Sequence, residues 1–329
     1  MKNLTVIVIG LGSMGKRRIR LIKQINENIR IIGIDANKER AIQVGEEYGI
    51  EISYDLKKTI EKFHMEIDGA FVCTSPLSHQ NIIRQLILDG INVFTEINLV
   101  KDGYDEILKN KQKNQVLFLS STFLYREDIQ YIIKRVNKNK VNYTYHTGQY
   151  LPDWHPWENY KDFFVNDRRT NGCREIMTIE FPWILECFGN VKNYSVLSGK
   201  LSTLDLNYDD NFVILLEHEN GTVGTLIVDV VSRKARRSLE IFNENLHLFW
   251  NGTPDSLEEY DINQKEIVNI ITYNSIDKDN NYCDNIIENA YMDEIKAYFK
   301  AICENDMTFI RYSFEKDYQT LSLLDEMGI

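Results

Sequence analysis

Short apolar runs alternate with longer amphipathic segments along the first third of the chain. Thr5 to Ile9 is a β-branched run, typical of a parallel strand that is covered on both faces. Similar runs predict further strands at Arg30 to Ile34, Glu51 to Tyr54, Gly69 to Thr74, Asn92 to Glu96 and Val116 to Ser121. The segments between them have helical length, so the pattern predicts right-handed crossovers and a parallel, doubly wound α/β sheet.

A glycine-rich turn joins the first predicted strand to the first predicted helix. It reads Gly10-Leu-Gly-Ser-Met-Gly15 and has the G-x-G-x-x-G spacing. Gly10 permits a tight turn, Gly12 lets a pyrophosphate approach the backbone, and Gly15 lets the helix pack against the strand. The amides at the start of that helix attract phosphate. We therefore predict dinucleotide contacts from Gly10, Gly12, Ser13, Met14 and Gly15.

The second predicted strand ends in an acidic residue, Asp35, about twenty residues after the last glycine. A carboxylate there accepts hydrogen bonds from the adenosine ribose and repels a 2′-phosphate, which favours NAD over NADP. Lys38 and Arg40 lie close by in the sequence and could offset this repulsion. NAD is the predicted cofactor, and NADP is the alternative.

Further cofactor contacts are expected where later strands of the parallel sheet end, because ligands of doubly wound sheets bind beyond the carboxyl ends of the strands. The residues at these ends, which we predict to border the cofactor, are Thr74, Ser75, Pro76, Glu96 and Ile97. His79 is expected to cap or orient the helix beneath the cofactor. The alternative is that Pro76 only marks an ordinary loop and has no contact with the cofactor.

The rest of the chain has a different pattern, in which strands follow one another through short turns. The predicted strands are Val141 to Gln149, Asn193 to Leu201, Asn211 to His218, Thr222 to Val231, Ser238 to Phe242 and Leu246 to Trp250. Asn220-Gly221 and Asn251-Gly252 are turn signals between strands. Tyr291 to Cys303 and Glu315 to Met327 have the spacing of amphipathic helices. We predict a dinucleotide-binding domain over residues 1–121 and an α+β domain with a hairpin-rich antiparallel sheet over residues 122–329.

An aromatic segment, Tyr150 to Tyr160, follows the first strand of the second domain. Aromatic rings suit the C–H faces of a sugar, so Trp154 and Trp157 are predicted to contact substrate. The alternative is an irregular loop that its own tryptophans hold on the sheet. His155 is the candidate acid or base, because its ordinary pKa is near neutrality. Its alternative role is a packed imidazole that only donates to backbone.

Two basic clusters are candidates for anion binding. Arg168 and Arg169 could form a fork for a carboxylate or a diphosphate of the substrate. The alternative is an exposed basic pair that Asp162 and Asp167 offset. The cluster from Arg233 to Arg237 could meet a phosphate or a neighbouring subunit.

The overall composition disfavours several classes of function. The 329 residues include 38 basic and 49 acidic side chains, and the formal charge of -11 disfavours nucleic acid and anionic membranes as partners. Apolar runs stay short of the roughly 18 residues of a spanning helix, and the first residues lack a secretory pattern, so we expect a cytoplasmic protein. The five cysteines are scattered, which predicts neither a metal site nor disulfides.

With these motifs the chain resembles the Gfo/Idh/MocA oxidoreductases. The resemblance rests on the glycine turn, on Cys-Thr-Ser-Pro-Leu-Ser-His at positions 73–79, and on Gly-Ile-Asn-Val-Phe-Thr-Glu at positions 90–96. It implies NAD(P) as cofactor and sugars, sugar nucleotides or inositols as substrates. It also implies that the second domain is an open, largely antiparallel sheet that binds substrate and forms homodimers or homotetramers.

The first departure from the family pattern follows Glu96. Family members have a lysine next, and that lysine lies near the nicotinamide and the reacting hydroxyl. This chain has Ile97, which cannot transfer a proton. Lys101 is the nearest replacement in the sequence.

The second departure lies in the family's other motif, a glycine turn leading into a helix that carries an acidic residue and then a histidine. Glu175 matches the acidic position, and Ile179 stands where the histidine is expected. A shift of the alignment by one residue would bring Thr178 or Glu180 to that position instead.

We therefore expect an NAD-dependent oxidoreductase that acts on a sugar or sugar nucleotide through non-standard acid or base residues. His155 is preferred, with Tyr150, Asp153 and Glu175 as further candidates. One alternative is an NAD-binding protein without redox turnover, such as a sensor or inactive partner, because the family lysine and histidine are missing. The other is a lyase or epimerase that oxidises its substrate only transiently.

Overall fold

The computed structural model describes residues 4–155, 158–278 and 286–329. The chain divides into two compact units. The first comprises Met1–Ser121 and Tyr291–Ser322, and the second comprises Thr122–Ala290 and Leu323–Ile329. Residues 291–322 thus belong to the first unit, whereas the sequence pattern assigned them to the second domain.

A parallel sheet organises the first unit. Its strands are β1 Thr5–Ile9, β2 Arg30–Ile34, β3 Glu51–Ser53, β4 Gly69–Val72, β5 Asn92–Thr95 and β6 Leu117–Leu119. The helices between them are α1 Ser13–Ile25, α2 Lys38–Tyr48, α3 Leu56–Phe63, α4 His79–Leu88 and α5 Tyr104–Asn110. The strand order is β3-β2-β1-β4-β5-β6, with parallel pairing throughout. The predicted doubly wound sheet is confirmed, and its order reverses between β1 and β4, where such sheets bind ligands.

The second unit contains a larger sheet. Its strands are β7 Asn142–Gly148, β8 Val191–Gly199, β9 Asn211–His218, β10 Val223–Asp229, β11 Arg236–Asn243, β12 Leu246–Trp250, β13 Glu258–Asp261 and β14 Glu266–Asn269, and its helices are α6 Glu127–Val136 and α7 Gly172–Phe188. The order is β14-β13-β12-β11-β7-β10-β9-β8, and the pairs are antiparallel apart from β7 with β10. This confirms the open, largely antiparallel sheet. The hairpin of β13 and β14 was not predicted.

Helix α7 packs on one face of this second sheet. Side chains of β7 alternate between buried and more exposed positions, as expected when one face is covered. The ring of Tyr143 stacks on Phe188 of α7 with centroids 4.1 Å apart. The ring of Tyr145 meets Trp183 edge-on at 5.5 Å.

Two further helices, α8 Glu288–Glu304 and α9 Phe314–Glu326, follow the second sheet in the chain. Tyr298 of α8 packs edge-on against Phe71 and Phe94 of the parallel sheet, at 5.2 and 5.6 Å between ring centroids. This aromatic packing explains why residues 291–322 join the first unit. Within the described ranges, no helix is both long and apolar enough to cross a membrane.

Candidate functional site

The glycine turn between β1 and α1 has no room for side chains at two of its glycines. Gly10 has a φ of +87°, and a Cβ atom there would lie 2.8 Å from the carbonyl carbon and oxygen of Cys73. A Cβ at Gly15 would lie 2.0 Å from the carbonyl oxygen of Gly10. Both distances are far below van der Waals contact, so the turn approaches α1 and the end of β4 only because these positions are glycine.

Gly12 differs from the other two glycines because the space in front of it is open. A Cβ there would meet no heavy atom of the described chain within 4 Å. Gly12 is also the N-cap residue of α1 and has no side chain that could accept hydrogen bonds from the first turn. The positive end of the helix dipole therefore faces open space, which fits the pyrophosphate of a dinucleotide. Ser13 and Met14, the next residues, are exposed and half-buried.

Two backbone amides orient the carboxylate of Asp35 at the end of β2. Oδ2 accepts from the Leu11 amide at 2.9 Å, and Oδ1 accepts from the Asn37 amide at 2.8 Å. The bond from Leu11 ties the carboxylate to the glycine turn. Arg40 approaches Oδ2 at 3.3 Å, so one of the two predicted neighbouring cations does pair with Asp35.

A buried histidine supports the turn after β4. His79 begins α4 and is 2% exposed. Its Nε2 lies 2.9 Å from the Thr74 carbonyl oxygen, and its Nδ1 lies 2.8 Å from Oδ1 of Asn98. Burial lowers the pKa of His79, although these two hydrogen bonds act in the opposite direction. His79 thus acts on the predicted cofactor turn through the Thr74 carbonyl, while Ser75 on that turn is exposed and Pro76 is buried.

The Glu96 carboxylate pairs with a buried arginine that the sequence analysis missed. Arg18 of α1 is 0% exposed and donates from Nε to Oε1 of Glu96 at 2.7 Å. Its Nη2 lies 3.0 Å from Oε2 of Glu294 in α8. Burial by itself lowers the pKa of Arg18, but the two carboxylates raise it above its ordinary value. No local pattern marks this cluster, because Glu96 and Glu294 lie 78 and 276 residues from Arg18.

The family lysine position after β5 and the nearest lysine in the sequence have different surroundings. Ile97, at the family lysine position, is half-buried and carries no ionisable group. Lys101 donates to Oγ of Ser322 at 2.9 Å, and its ammonium lies 5.3 Å from the ring centroid of Tyr318. Lys101 is therefore held by α9, which makes it a poor substitute for a lysine at position 97.

Helix α7 is almost entirely buried, and its few partly exposed residues include two of the second motif. In α7, which the structure describes throughout, the residues that keep partial exposure are Glu175, Ile179, Leu185 and Glu186. Glu175 and Ile179 are four residues apart and therefore share one face of the helix. Thr178 is buried and donates to the Arg174 carbonyl at 2.8 Å. Ile179 thus occupies the position beside Glu175.

The other alternative, Glu180, is committed to the interior of the second unit. It is 0% exposed. Its Oε2 accepts from the Tyr145 hydroxyl at 2.8 Å and from the Trp183 indole at 2.7 Å, and its Oε1 accepts from Arg237 Nε at 2.9 Å. A carboxylate with this many donors stabilises the packing of α7 on the sheet and does not face a substrate.

Glu175 is the carboxylate whose environment is most altered in this region. It lies in the first turn of α7, where Asn171 caps the helix by accepting from the Arg174 amide at 2.8 Å. Its Oε2 is buried and has no hydrogen-bond partner within the described part of the chain. Burial raises the pKa of Glu175 to about 8. A carboxyl group with such a pKa exchanges its proton near neutral pH, as an acid or base catalyst must.

An exposed arginine contacts two residues of the aromatic segment after β7. The guanidinium carbon of Arg233 lies 4.0 Å from the ring centroid of Tyr150, and its Nη2 lies 3.9 Å from Oδ2 of Asp153. The indole N–H of Trp154 donates to the Gln149 carbonyl at 3.1 Å. These contacts bring Tyr150, Asp153 and the second basic cluster together. Trp157, the other predicted substrate contact, lies outside the described residues.

His155 lines a small cavity of the second unit together with Trp154 and Tyr160. Its ring meets Phe163 edge-on with centroids 4.4 Å apart. Its Nδ1 lies 3.5 Å from Oε2 of Glu158. The imidazole is thus packed on one side and has a carboxylate neighbour, which is compatible with both of the roles predicted for it.

Arg168 and Arg169 lie at the surface, in a short 3-10 turn before α7. Asp167 caps this turn by accepting from the Arg169 amide at 2.8 Å. The exposure of both arginines and the neighbouring Asp167 agree with the interpretation as an exposed basic pair. Their position just before α7 in the chain agrees with the interpretation as a fork that binds an anion.

A second pair of histidine and carboxylate was not singled out from the sequence. His146 Nε2 lies 2.7 Å from Oδ2 of Asp229, and the two side chains are 25% and 4% exposed. Burial raises the pKa of Asp229, but hydrogen bonds from His146 and from the amides of Val231 and Ser232 outweigh it and hold the pKa below its ordinary value. His146 lies between the inward-facing Tyr145 and Thr147 of β7, so it is on the sheet face opposite to α7.

The fold of the whole chain is that of known dehydrogenases. A levoglucosan dehydrogenase in complex with NADH and levoglucosan has a TM-score of 0.80 at 16% identity, covering 99% of this chain and 96% of that one. The UDP-N-acetylglucosamine 3-dehydrogenase GnnA from Acidithiobacillus ferrooxidans has a TM-score of 0.77 at 15% identity, covering 100% and 97%. A myo-inositol dehydrogenase from Corynebacterium glutamicum has a TM-score of 0.75 at 15% identity, covering 99% and 95%. At such identities the likeness establishes the fold alone.

Sequence comparison adds the family. None of the curated protein sequences matches the chain. Residues 4–116 match the model of the GFO_IDH_MocA oxidoreductase family, NAD-binding Rossmann fold. The matched range contains the glycine turn, Asp35 and the ends of β4 and β5, whose geometry fits a dinucleotide. Residues 4–116 thus match the NAD-binding Rossmann domain of the Gfo/Idh/MocA oxidoreductases, the family that the motifs resemble.

Proposed function

We propose that the chain is a cytoplasmic, NAD-dependent dehydrogenase that acts on a hydroxyl group of a sugar or sugar nucleotide. The cofactor half of the proposal rests on the family match and on the open space at Gly12. The substrate half is supported by fold neighbours that include a levoglucosan dehydrogenase and a UDP-N-acetylglucosamine 3-dehydrogenase. Aromatic and acidic side chains of the segment from Tyr150 to Tyr160 also suit a sugar.

The observation that carries the proposal is the environment of Glu175. Its carboxylate has one oxygen without a hydrogen-bond partner in the described chain, and burial brings its pKa to about 8. It shares the partly exposed face of α7 with Ile179, where family members carry a histidine. A buried carboxylate oxygen without a hydrogen-bond partner in the described chain is costly, which favours a role in chemistry over a structural one.

In this proposal Glu175 performs the proton transfer of the reaction. Bound NAD supplies the acceptor for the hydride that leaves the substrate carbon. Glu175, in its ionised form, takes the proton of the hydroxyl on that carbon and returns a proton when the reaction runs in reverse. Ile97 and Ile179 contribute apolar surface only, so the usual lysine and histidine are replaced by one carboxyl group. Thr74, Ser75, Pro76 and Glu96 border the cofactor in this scheme.

The aromatic segment supplies the remaining proposed roles. Trp154 and Trp157 contact the sugar face, and Tyr150 and Asp153 bind hydroxyl groups beside Arg233. Arg168 and Arg169 take the negative charge of a diphosphate or an acidic sugar. His155 is the second choice as acid or base, because Phe163 and Glu158 already contact its ring.

Substitution of Glu175 tests this proposal directly. Glu175→Gln preserves size and removes the titrating group, so kcat with a responsive sugar or sugar nucleotide is expected to fall about 10²–10⁴-fold. The dissociation constant of NAD is expected to stay unchanged. Glu186→Gln, on the same helix and also half-buried, is the matched control and should retain full activity. An unchanged kcat in Glu175→Gln would assign the proton transfer to another residue.

A second candidate function is an NAD-binding protein without redox turnover. It is favoured by Ile97 and Ile179, because neither residue can transfer a proton. A panel of sugars and sugar nucleotides that yields no NADH, with NAD binding intact, would support it. Movement of substrate deuterium without net NADH would instead support a lyase or epimerase with transient oxidation.

The assembly we propose is a homodimer or homotetramer formed through the second sheet. The sheet face opposite to α7 exposes Leu197, Leu215 and Val223, whose relative exposures are 75%, 53% and 45%. Apolar side chains grouped on one face are typical of a protein interface. A monomer in sedimentation velocity at micromolar concentration would contradict this assembly.

A further inference from the structure

A continuous chain of buried hydrogen bonds crosses the first unit from α9 to the turn after β4. The Tyr104 hydroxyl donates to Oδ2 of Asp317, and its oxygen lies 2.7 Å from Nδ2 of Asn98. Oδ1 of Asn98 lies 2.8 Å from Nδ1 of His79. Nε2 of His79 lies 2.9 Å from the Thr74 carbonyl oxygen. The four side chains are at most 2% exposed, so water does not replace any of these bonds.

The chemistry of the two ends fixes the direction of every bond in this chain. An ionised carboxylate only accepts, so Tyr104 donates to Asp317, Asn98 donates to Tyr104, and His79 donates from Nδ1 to Asn98. A neutral imidazole has a single N–H. With Nδ1 protonated, its Nε2 would therefore present a lone pair to the Thr74 carbonyl oxygen, which also only accepts.

The contact between His79 and Thr74 therefore requires one additional proton in the chain. The proton can make His79 an imidazolium while Asp317 stays ionised. Alternatively it can reside on Asp317, with the Tyr104 hydroxyl and the Asn98 amide turned round and His79 neutral. Both arrangements contain the same number of protons and give every contact one donor and one acceptor. In both of them Nε2 of His79 donates to Thr74.

The ionisable groups around the chain do not supply this proton. Glu96 faces His79 and is paired with Arg18. At the other end, the Tyr312 hydroxyl lies 2.8 Å from Oγ1 of Thr320 and also hydrogen-bonds to the Asp317 carboxylate. Burial and this carboxylate raise the pKa of Tyr312 well above its ordinary value, so Tyr312 keeps its own proton. Lys101 binds Ser322 on the same helix as Asp317.

We propose that Asp317 is a positioning residue for the cofactor, because a proton shared along the chain from Asp317 to His79 keeps the Thr74 carbonyl bonded. The Thr74 to Pro76 turn is then held in the orientation that receives NAD. This inference rests on the proposed use of that turn by NAD. When the pH rises and the shared proton is lost, the carboxylate of Asp317 draws the remaining hydrogens towards itself. His79 then loses its Nε2 hydrogen, the turn loses its support, and NAD affinity falls.

The decisive variant is Asp317→Asn, because an amide can donate as well as accept. The amide donates to Tyr104, Tyr104 to Asn98, Asn98 to Nδ1 of His79, and Nε2 to Thr74, without any additional proton. Between about pH 6 and pH 9, the dissociation constant of NAD should rise about three- to tenfold for the wild type and stay constant for Asp317→Asn. Titration calorimetry measures both.

Two more variants complete the test. Tyr104→Phe keeps the ring that packs against Phe314 at 4.9 Å and interrupts the chain, so the pH dependence should also disappear. Asp105→Asn removes an exposed carboxylate from the neighbouring position of α5 and should retain the wild-type pH dependence. A constant dissociation constant in the wild type, or an equal pH dependence in Asp317→Asn, would overturn the inference. Absence of NAD binding at every pH would instead contradict the proposed function.

Nuclear magnetic resonance of the imidazole nitrogens provides a readout in the absence of NAD. The His79 signals are identified by their displacement in Tyr104→Phe. In the wild type, Nε2 should be protonated at low pH and lose its hydrogen as the pH rises. In Asp317→Asn, Nε2 should remain protonated throughout. A wild-type Nε2 that keeps its hydrogen over the whole range would overturn the coupling to Asp317.

Discussion

The starts of α1 and α7 are both glycine-containing turns that lead into a helix, yet they are built for opposite purposes. The N-cap of α1 is Gly12, which offers no side chain to the first turn and faces open space. The N-cap of α7 is Asn171, whose side chain accepts from the Arg174 amide. The first turn of α7 also carries its own carboxylate, Glu175, whereas the first turn of α1 carries no acidic residue.

The two helix starts thus differ in which part of the chain is available to a ligand or substrate. In the proposed function, the backbone at α1 is the binding group, and an anionic ligand takes the place of a side-chain cap. At α7 the chain caps its own helix start, and the proposed site consists of one side chain in an altered environment. Ligand binding at α1 depends on open space in front of the backbone, whereas the proposed role of Glu175 depends on the burial of its carboxyl group. Substitutions at the two helix starts should therefore have different effects.

The largest effect is expected at the crowded glycine of the first turn. In Gly15→Ala the new Cβ would lie 2.0 Å from the Gly10 carbonyl oxygen, so the free energy of unfolding should fall by about 3 kcal/mol or more. Gly12→Ala meets no neighbour within 4 Å in the described chain. It should lose at most about 1 kcal/mol of stability and weaken NAD binding about tenfold or more. Urea denaturation and titration calorimetry separate the two effects.

Comparable losses of stability in both alanine variants would contradict this distinction. So would a Gly12→Ala protein that binds NAD as tightly as the wild type, because the backbone would then not be the surface that the pyrophosphate approaches.

An intermediate effect is expected from the titration of Glu175. Because burial raises its pKa to about 8 in the folded state, the folded protein binds a proton that the unfolded chain releases near the ordinary value of 4.5. Stability should therefore decline as the pH rises from about 5 to about 8, by an amount on the order of 1–3 kcal/mol. Glu175→Gln should remove this contribution. Urea midpoints across that pH range measure it, and a slope identical in both proteins would show that Glu175 has an ordinary pKa.

The smallest effect is expected at the cap of α7. Asn171→Ala removes the acceptor for the Arg174 amide and should reduce the free energy of unfolding by about 1 kcal/mol. NAD affinity should not change, because the cap lies in the unit that does not contain the glycine turn. Thermal denaturation with and without NAD checks both statements. A large loss of NAD affinity in this variant would mean that the two helix starts are not independent.

The sequence predicted those features that are determined by residues close together in the chain. The order of strands and helices in the first unit, the glycine turn and the position of Asp35 follow from patterns within a few dozen residues. The strands β9 and β12 were predicted to the residue, because their apolar alternation and the flanking turns bound them on both sides. The same motifs gave the resemblance to the family whose model matches residues 4–116.

Features that depend on distant partners could not be predicted in this way. Arg18 looks like an ordinary helix residue until Glu96 and Glu294 are placed around it. The sequence placed Ile179 at the histidine position of the family but left Thr178 and Glu180 open through a one-residue shift, because the burial of each residue of α7 depends on elements that are distant in the chain.

The hairpin of β13 and β14 was missed for a different reason. Both strands are short and only partly buried, so they lack the alternation of apolar and polar residues that identifies a strand.

The buried pairing of Arg18 has a consequence for biosynthesis. A ribosome synthesises the chain from its N-terminus, and 276 residues separate Arg18 from Glu294. At about 5–20 residues per second, this delay is on the order of tens of seconds. During that time the nascent Rossmann half carries a guanidinium that has Glu96 but lacks its second carboxylate. The N-terminal half therefore cannot complete this buried pairing until helix α8 has been translated.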